Sequence, residues 1–108
     1  LMVVIDNNKL ESLDKTDNIL SIEDLDKRLS GFNFLNLRVD GHNHYELTNI
    51  FHEFFKNKYN KPLVLTADTI KGKGVSFMEN ITMWHHRKLK DEEYNLAIQE
   101  LQDEMKRI

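Results

Sequence analysis

Three short runs dense in aliphatic residues, separated by segments whose apolar positions recur every three or four residues, constrain this chain more than any other feature. Leu1-Met2-Val3-Val4-Ile5 is the first run, Phe32 to Val39 the second, and Leu63 to Ile70 the third. Between the second and third, Leu47, Ile50, Phe51, Phe54 and Phe55 occupy the i, i+3, i+4, i+7 and i+8 positions of an amphipathic helix, and the spacing predicts that all five face the core. Ahead of the second run, Ile22, Leu25 and Leu29 form a shorter stripe. Ser21 is placed to cap it, Asp24 to reach back to the cap, and Gly31 to stop it. A last helix is expected from about Asp91: Asp91, Glu92 and Glu93 suit its positive end, and Tyr94, Ala97, Ile98, Leu101 and Met105 form its inward face. The order is β-α-β-α-β-loop-α. Alternation at this spacing implies an α/β fold, a three-layer parallel sheet with flanking helices and right-handed crossovers.

Composition narrows the class further. With 108 residues, 40% of them hydrophobic, the chain can build one modest core, and residues 1–108 are expected to form a single domain. No cysteine is present, which excludes disulfides, thiolate metal sites and a cysteine nucleophile and is compatible with an intracellular, cytoplasmic setting. No apolar run approaches the roughly 20 residues that span a bilayer, so the chain reads as soluble. A formal charge of −3 offers no general attraction to nucleic acid or anionic lipid, and neither is expected as a partner.

The first run lacks polar alternation, which reads as a strand buried on both faces. A buried strand rarely opens a protein, and the run has no positive n-region or cleavage site of a signal peptide. The expectation is that the sequence enters a larger domain partway through, and that alone it is unstable because its sheet leaves an apolar edge uncovered.

In open parallel sheets, ligands collect beyond the carboxyl ends of the strands, so the residues leaving each run matter most. After the first run, Asn8 can offer an amide oxygen to Mg²⁺ or Ca²⁺, assisted by a backbone carbonyl such as that of Leu10; an Asn pair after a strand is equally ordinary turn chemistry. After the third, Lys71-Gly72-Lys73-Gly74 would let backbone amides and an ammonium approach a phosphate, although the Walker spacing and the third glycine of a dinucleotide fingerprint are absent. From Lys71 to Lys90 five basic residues face one acid, Glu79, which suits either an anion pocket or a solvated loop. Trp84-His85-His86-Arg87 concentrates a ring, two imidazoles and a guanidinium in four positions, either as chemistry or as a structural Trp beside two surface histidines. His42, His44 and His52 lack the spacing of a zinc site.

In order along essentially the whole chain, Val4-Ile5-Asp6-Asn7-Asn8-Lys9-Leu10, Val39-Asp40-Gly41-His42, Lys61-Pro62, the run from Thr69 to Asn80, Trp84-His85-His86-Arg87 and Asp91-Glu92-Glu93-Tyr94 resemble the N-terminal region of transketolases. They are most similar to the short transketolases whose amino-terminal half is a separate subunit.

That resemblance implies the carboxyl-terminal portion of a diphosphate-binding domain in an enzyme that uses thiamin diphosphate and Mg²⁺ or Ca²⁺ to move a two-carbon ketol unit between sugar phosphates in the pentose phosphate pathway. It implies that Asn8 and the carbonyl of Leu10 hold the cation, that Lys71 and His85 contact the cofactor or the reacting donor, and that His85 is the catalytic group. His86 stands where the family often has glycine. The Gly-Asp-Gly metal motif and the activating glutamate of the family lie outside these residues. The partner that the resemblance implies is therefore a pyrimidine-binding domain or a C-terminal transketolase subunit, in a dimer or heterotetramer. Two alternatives are an acyloin-forming enzyme similar to 1-deoxyxylulose 5-phosphate synthase and a non-catalytic, partner-binding remnant.

Overall fold

The computed structural model describes residues 1–108 except Glu23, Lys58 and Ile108. Its centre is a wholly parallel sheet of β1 (Met2–Asn7), β2 (Leu35–Asp40) and β3 (Leu63–Asp68), in the order β1-β3-β2. This is the α/β class that the alternating pattern implies. The register aligns Met2 and Leu35 with Leu63 at one end, and Asn7 and Asp40 with Asp68 at the other.

β3 is the inner strand, and Leu63 to Ala67 are all buried, including Thr66. Within residues 1–108 the two-sided burial expected of the first run is seen at β3. β1 pairs along one edge only, and Val3 and Val4 are 41% and 51% exposed. Within residues 1–108, β3 has a strand on each side and β1 is paired with β3. β2, the other outer strand, likewise leaves Leu37 exposed.

The chain divides into two compact units. The first, Leu1–Asn8 with Ser21–Thr69, contains the sheet, α2 (Leu25–Ser30) and α3 (His44–Lys56). Its core is Val39, Leu65 and Ala67, against which Leu47, Ile50 and Phe51 of α3 pack. Asn43 caps α3, its side-chain oxygen accepting from the Glu46 amide at 3.2 Å. The last two aromatics of the stripe behave differently from the first three residues. Phe54 stacks on Tyr59 with ring centroids 5.7 Å apart, while Phe55 meets Phe54 edge-on and stays 75% exposed, because the final helical turn runs past the core.

α2 starts later than its stripe suggests. Asp24 sits at the cap in the left-handed conformation with φ 57°, so its carboxylate meets Lys27 at 3.2 Å and does not reach back to Ser21. Gly31 ends the helix in an ordinary right-handed conformation with φ −69°; the left-handed turn falls on Asn33, a residue type that tolerates it.

The second unit, Lys9–Leu20 with the chain from Ile70 onward, contains α1 (Thr16–Ile19), a loop with a short 3-10 helix, Thr82–His85, and α4 (Asp91–Met105). The acidic first turn of α4 is present as the sequence implies, and the Glu93 carboxylate accepts from the Lys90 amide at 2.9 Å. Of its expected inward face only Ala97 is buried; Tyr94, Ile98, Leu101 and Met105 are exposed. Periodicity identified one apolar stripe correctly, but a stripe is covered only where another element reaches it. No helix among the described residues is long and apolar enough to cross a membrane.

Candidate functional site

The first unit gathers polar side chains where its three strands end. Asn7, Asp68 and Asp40 lie side by side in register at the carboxyl end of the sheet. Asn7 is buried, and its amide nitrogen donates to Asp68 Oδ1 at 2.6 Å. Arg38, two residues before Asp40 and so on the same face of β2, closes a fork on the same carboxylate: Nε donates to Oδ2 at 2.6 Å and Nη2 to Oδ1 at 2.8 Å. Its third nitrogen, Nη1, reaches Asp26 of α2 at 3.0 Å. The Asp68 bonds first, and then that to Asp26, hold the guanidinium still more firmly protonated than an ordinary arginine.

Two further links join β1 to Thr69, the residue after β3. The Thr69 hydroxyl donates to Asp6, and the Thr69 amide donates to the Asn7 carbonyl at 3.4 Å. The exit of β2 is drawn to the same place. The Gly41 amide donates to the Asp68 carbonyl at 2.7 Å, and the His42 amide to the Asp40 carboxylate at 2.9 Å. A Cβ on Gly41 would overlap the Thr69 methyl group, so this approach requires glycine.

Sequence reasoning singled out Asp40, Gly41 and His42 but missed Arg38 and Asp68. They are 30 residues apart, Arg38 within the second aliphatic run and Asp68 within the third. A charged residue inside each of two runs was the available signal, and only the register says that the two meet.

Of the expected site residues, Asn8 belongs to the first unit and Leu10, Lys71 and His85 to the second. Asn8 is half-buried and immediately follows the last paired residue of β1. Lys9 then turns the chain through the left-handed region at φ 60°. Leu10 forms an isolated antiparallel bridge with Lys15. Its two bonds flank the pair, Thr16 amide to Lys9 carbonyl at 3.0 Å and Glu11 amide to Asp14 carbonyl at 2.8 Å. An asparagine amide oxygen and a main-chain carbonyl are neutral, hard donors, which fits Mg²⁺ or Ca²⁺ and not a soft thiolate-seeking ion. Among the described residues no group of three or more His, Cys, Asp or Glu side chains is placed to hold a metal.

The glycine loop explains itself largely from within. Gly72 and Gly74 have φ 76° and 95°, and a Cβ on Gly72 would stand 2.6 Å from the Met78 carbonyl oxygen. The loop closes on itself there, helped by the Asn80 amide donating to the carbonyl of the half-buried Lys71 at 3.0 Å. The one acid in the basic stretch sits inside it: Glu79 accepts from the Gly74 amide at 3.2 Å and lies 4.0 Å from the Lys73 ammonium. Two of the groups that spacing offers to a phosphate thus face an internal carboxylate, and Lys71 is left as the loop's stronger candidate for an anion.

Trp84-His85-His86-Arg87 divides into two packed and two exposed members. Trp84 is structural: its indole N–H donates to the Phe77 carbonyl at 3.0 Å, and the two rings lie 5.5 Å apart. The Arg87 guanidinium stacks 4.4 Å from the Trp84 ring and pairs with Glu93. His85 ends the 3-10 helix braced by that packing and is exposed, as is His86, with ring centroids 6.3 Å apart. An exposed imidazole on a braced turn can donate or accept a proton at a substrate oxygen.

No family model matches the chain. One of the named subunits of apulose-4-phosphate transketolase, from Phocaeicola vulgatus, is 32% identical over 109 aligned residues, covering 100% of this chain and 38% of that protein. The protein of the same name from Actinobacillus succinogenes is 35% identical, covering 96% of this chain and 37% of that one. The chain therefore spans well under half the length of these curated relatives. A crystal structure of transketolase from Campylobacter jejuni superposes with a TM-score of 0.81 over 94% of this chain and 16% of that one, at 21% identity, which is a likeness of fold.

Proposed function

We propose that this chain, a transketolase-like segment along its whole length, is part of a cytoplasmic enzyme that binds thiamin diphosphate with a divalent cation and transfers a two-carbon ketol unit between sugar phosphates of the pentose phosphate pathway. The observation that carries this reading is similarity across the entire chain to two proteins named as transketolase subunits. A parallel sheet with polar groups crowded at its carboxyl end is compatible with it, since ligands of such sheets bind there.

In this reading residues 1–108 form the carboxyl-terminal part of the diphosphate-binding domain. The Asn8 side-chain oxygen and the Leu10 carbonyl hold the cation, Mg²⁺ or Ca²⁺. Lys71 offsets negative charge on the cofactor's diphosphate, where a fixed ammonium acts without reorganising. His85 hydrogen-bonds a hydroxyl of the sugar donor and carries a proton as the carbon–carbon bond breaks. When bound, the cofactor supplies the electron sink for that cleavage. Both relatives are named as one subunit of a transketolase, which supports a second subunit, bearing the pyrimidine-binding domain, as partner in a dimer or heterotetramer.

Native mass spectrometry of the assembly purified from its own source tests the reading, followed by assay with a ketose phosphate donor and an aldose phosphate acceptor. The expected result is a complex with a second subunit, retaining thiamin diphosphate and a divalent cation and active in two-carbon transfer. An assembly free of cofactor and without transfer activity would overturn it, and turnover of pyruvate in place of a ketose phosphate would redirect it to acyloin formation. In the same assembly Asn8→Ala is expected to weaken cation-dependent binding of thiamin diphosphate at least tenfold, on the order of a lost ligand's effect. Unchanged binding would remove Asn8 from the site.

A further inference from the structure

We infer that Asp68 is a positioning residue for the cation ligand Asn8, acting through Asn7 and itself held by Arg38; the inference rests on the reading of Asn8 just given. β1 pairs with β3 as far as Asn7, and Asn8 is the next residue. Beyond the sheet ladder, the end of β1 is tied to Asp68 and to Thr69, the residue after β3: Asp6 to the Thr69 hydroxyl, the Asn7 carbonyl to the Thr69 amide, and the buried Asn7 amide to the Asp68 carboxylate at 2.6 Å. Only the last is a charge-assisted bond from a buried side chain, the stronger kind. Asp68 cannot swing away from Asn7 without breaking the Arg38 fork, whose third nitrogen is tied to α2 through Asp26. A carboxylate, an arginine fork and an asparagine amide thus converge one residue before a proposed metal donor. Groups that orient a ligand from behind in this way set the affinity of a site as well as its stability.

A purely structural role predicts something different. Arg38 and Asp68 have side chains 45% and 40% exposed, and as a surface pair they would only staple β2 to β3. The two roles separate in the native assembly by titrating Mn²⁺ in the presence of thiamin diphosphate, following free Mn²⁺ by electron paramagnetic resonance, with the unfolding temperature measured alongside. Asp68→Ala and Asn7→Ala are each expected to raise the Mn²⁺ dissociation constant about tenfold, within the range seen when outer-sphere partners are removed. Asp68→Asn keeps an oxygen for Asn7 while losing the charge and the fork, and is expected to raise the constant by less than Asp68→Ala does, about threefold. Leu47→Ala, a core change away from the strand ends, is expected to lower the unfolding temperature and leave the constant unchanged. If Asp68→Ala and Asn7→Ala bind Mn²⁺ as the parent does while Asn8→Ala binds weakly, the positioning role is wrong and the cation site stands. If Leu47→Ala raises the constant as much as Asp68→Ala, the effect is general destabilisation and the inference also fails. If Asn8→Ala itself leaves the constant unchanged, the cation reading falls first.

Discussion

The indole N–H of Trp84 donates to the main-chain carbonyl of Phe77 at 3.0 Å, while the same ring carries the Arg87 guanidinium at 4.4 Å. One aromatic side chain therefore ties the glycine loop to the 3-10 helix that ends at His85. Trp84→Phe keeps most of the apolar contact but removes the hydrogen bond and weakens the cation stacking. Those two terms are worth about 1 kcal/mol and about 0.5–1 kcal/mol. The expected outcome is a loss of about 1–2 kcal/mol in denaturant unfolding of the native assembly. No loss would mean that the loop is held elsewhere.

Gly72 and Gly31 should respond in opposite directions to the same substitution. Gly72→Ala places a Cβ against the Met78 carbonyl in a left-handed conformation, at an expected cost of about 1–3 kcal/mol. Gly31 is right-handed, and its added Cβ would meet only the Arg28 carbonyl oxygen at an ordinary 3.6 Å. Gly31→Ala is therefore expected to stabilise by about 0.4–1 kcal/mol, by restricting the unfolded chain. Thermal unfolding of the pair checks both signs.

Phe51 and Phe55 lie four residues apart on α3 and should differ sharply. Phe51 packs on Val39, Leu65 and Ala67, so Phe51→Ala is expected to cost about 3 kcal/mol through lost burial and the cavity left behind. Phe55 is exposed, and Phe55→Ala is expected to stay within about 0.5 kcal/mol. Equal effects in chemical denaturation would contradict the packing described.

Acid should act on α4 through two carboxyls. The Lys90 amide, and after it Arg87, holds the Glu93 carboxyl below the usual glutamate value; the Ser76 hydroxyl and amide, both bonded to Glu100 at 2.6 Å, do the same there. A carboxyl depressed in the folded state stabilises fully above its unfolded value, and that contribution is lost as pH falls through the folded value. NMR titration is expected to show both midpoints below 4.5, with the first turn of α4 fraying as they are crossed. In Glu93→Gln the fraying should no longer follow pH.

The sequence by itself determined the class and order of the elements. Apolar runs of strand length alternating with a helical period leave a parallel α/β sheet as the arrangement that buries both patterns, and the acids from Asp91 to Glu93 mark a helix start locally. The glycine loop and the residues after β1 were legible for the same reason, because left-handed turns and strand exits draw on few residue types. Tertiary structure decided the rest. Within residues 1–108, β3 lies between β1 and β2, an order that periodicity cannot report. Phe55 and most of the α4 stripe are exposed, since an apolar face is buried only where another element meets it. Arg38 and Asp68 form the hub of the strand ends, and Glu79 turns inward to the glycine loop, through contacts set by register and loop closure. A linear pattern fixes which side chains share a face; which faces and ends meet depends on pairings between distant residues that no local spacing encodes.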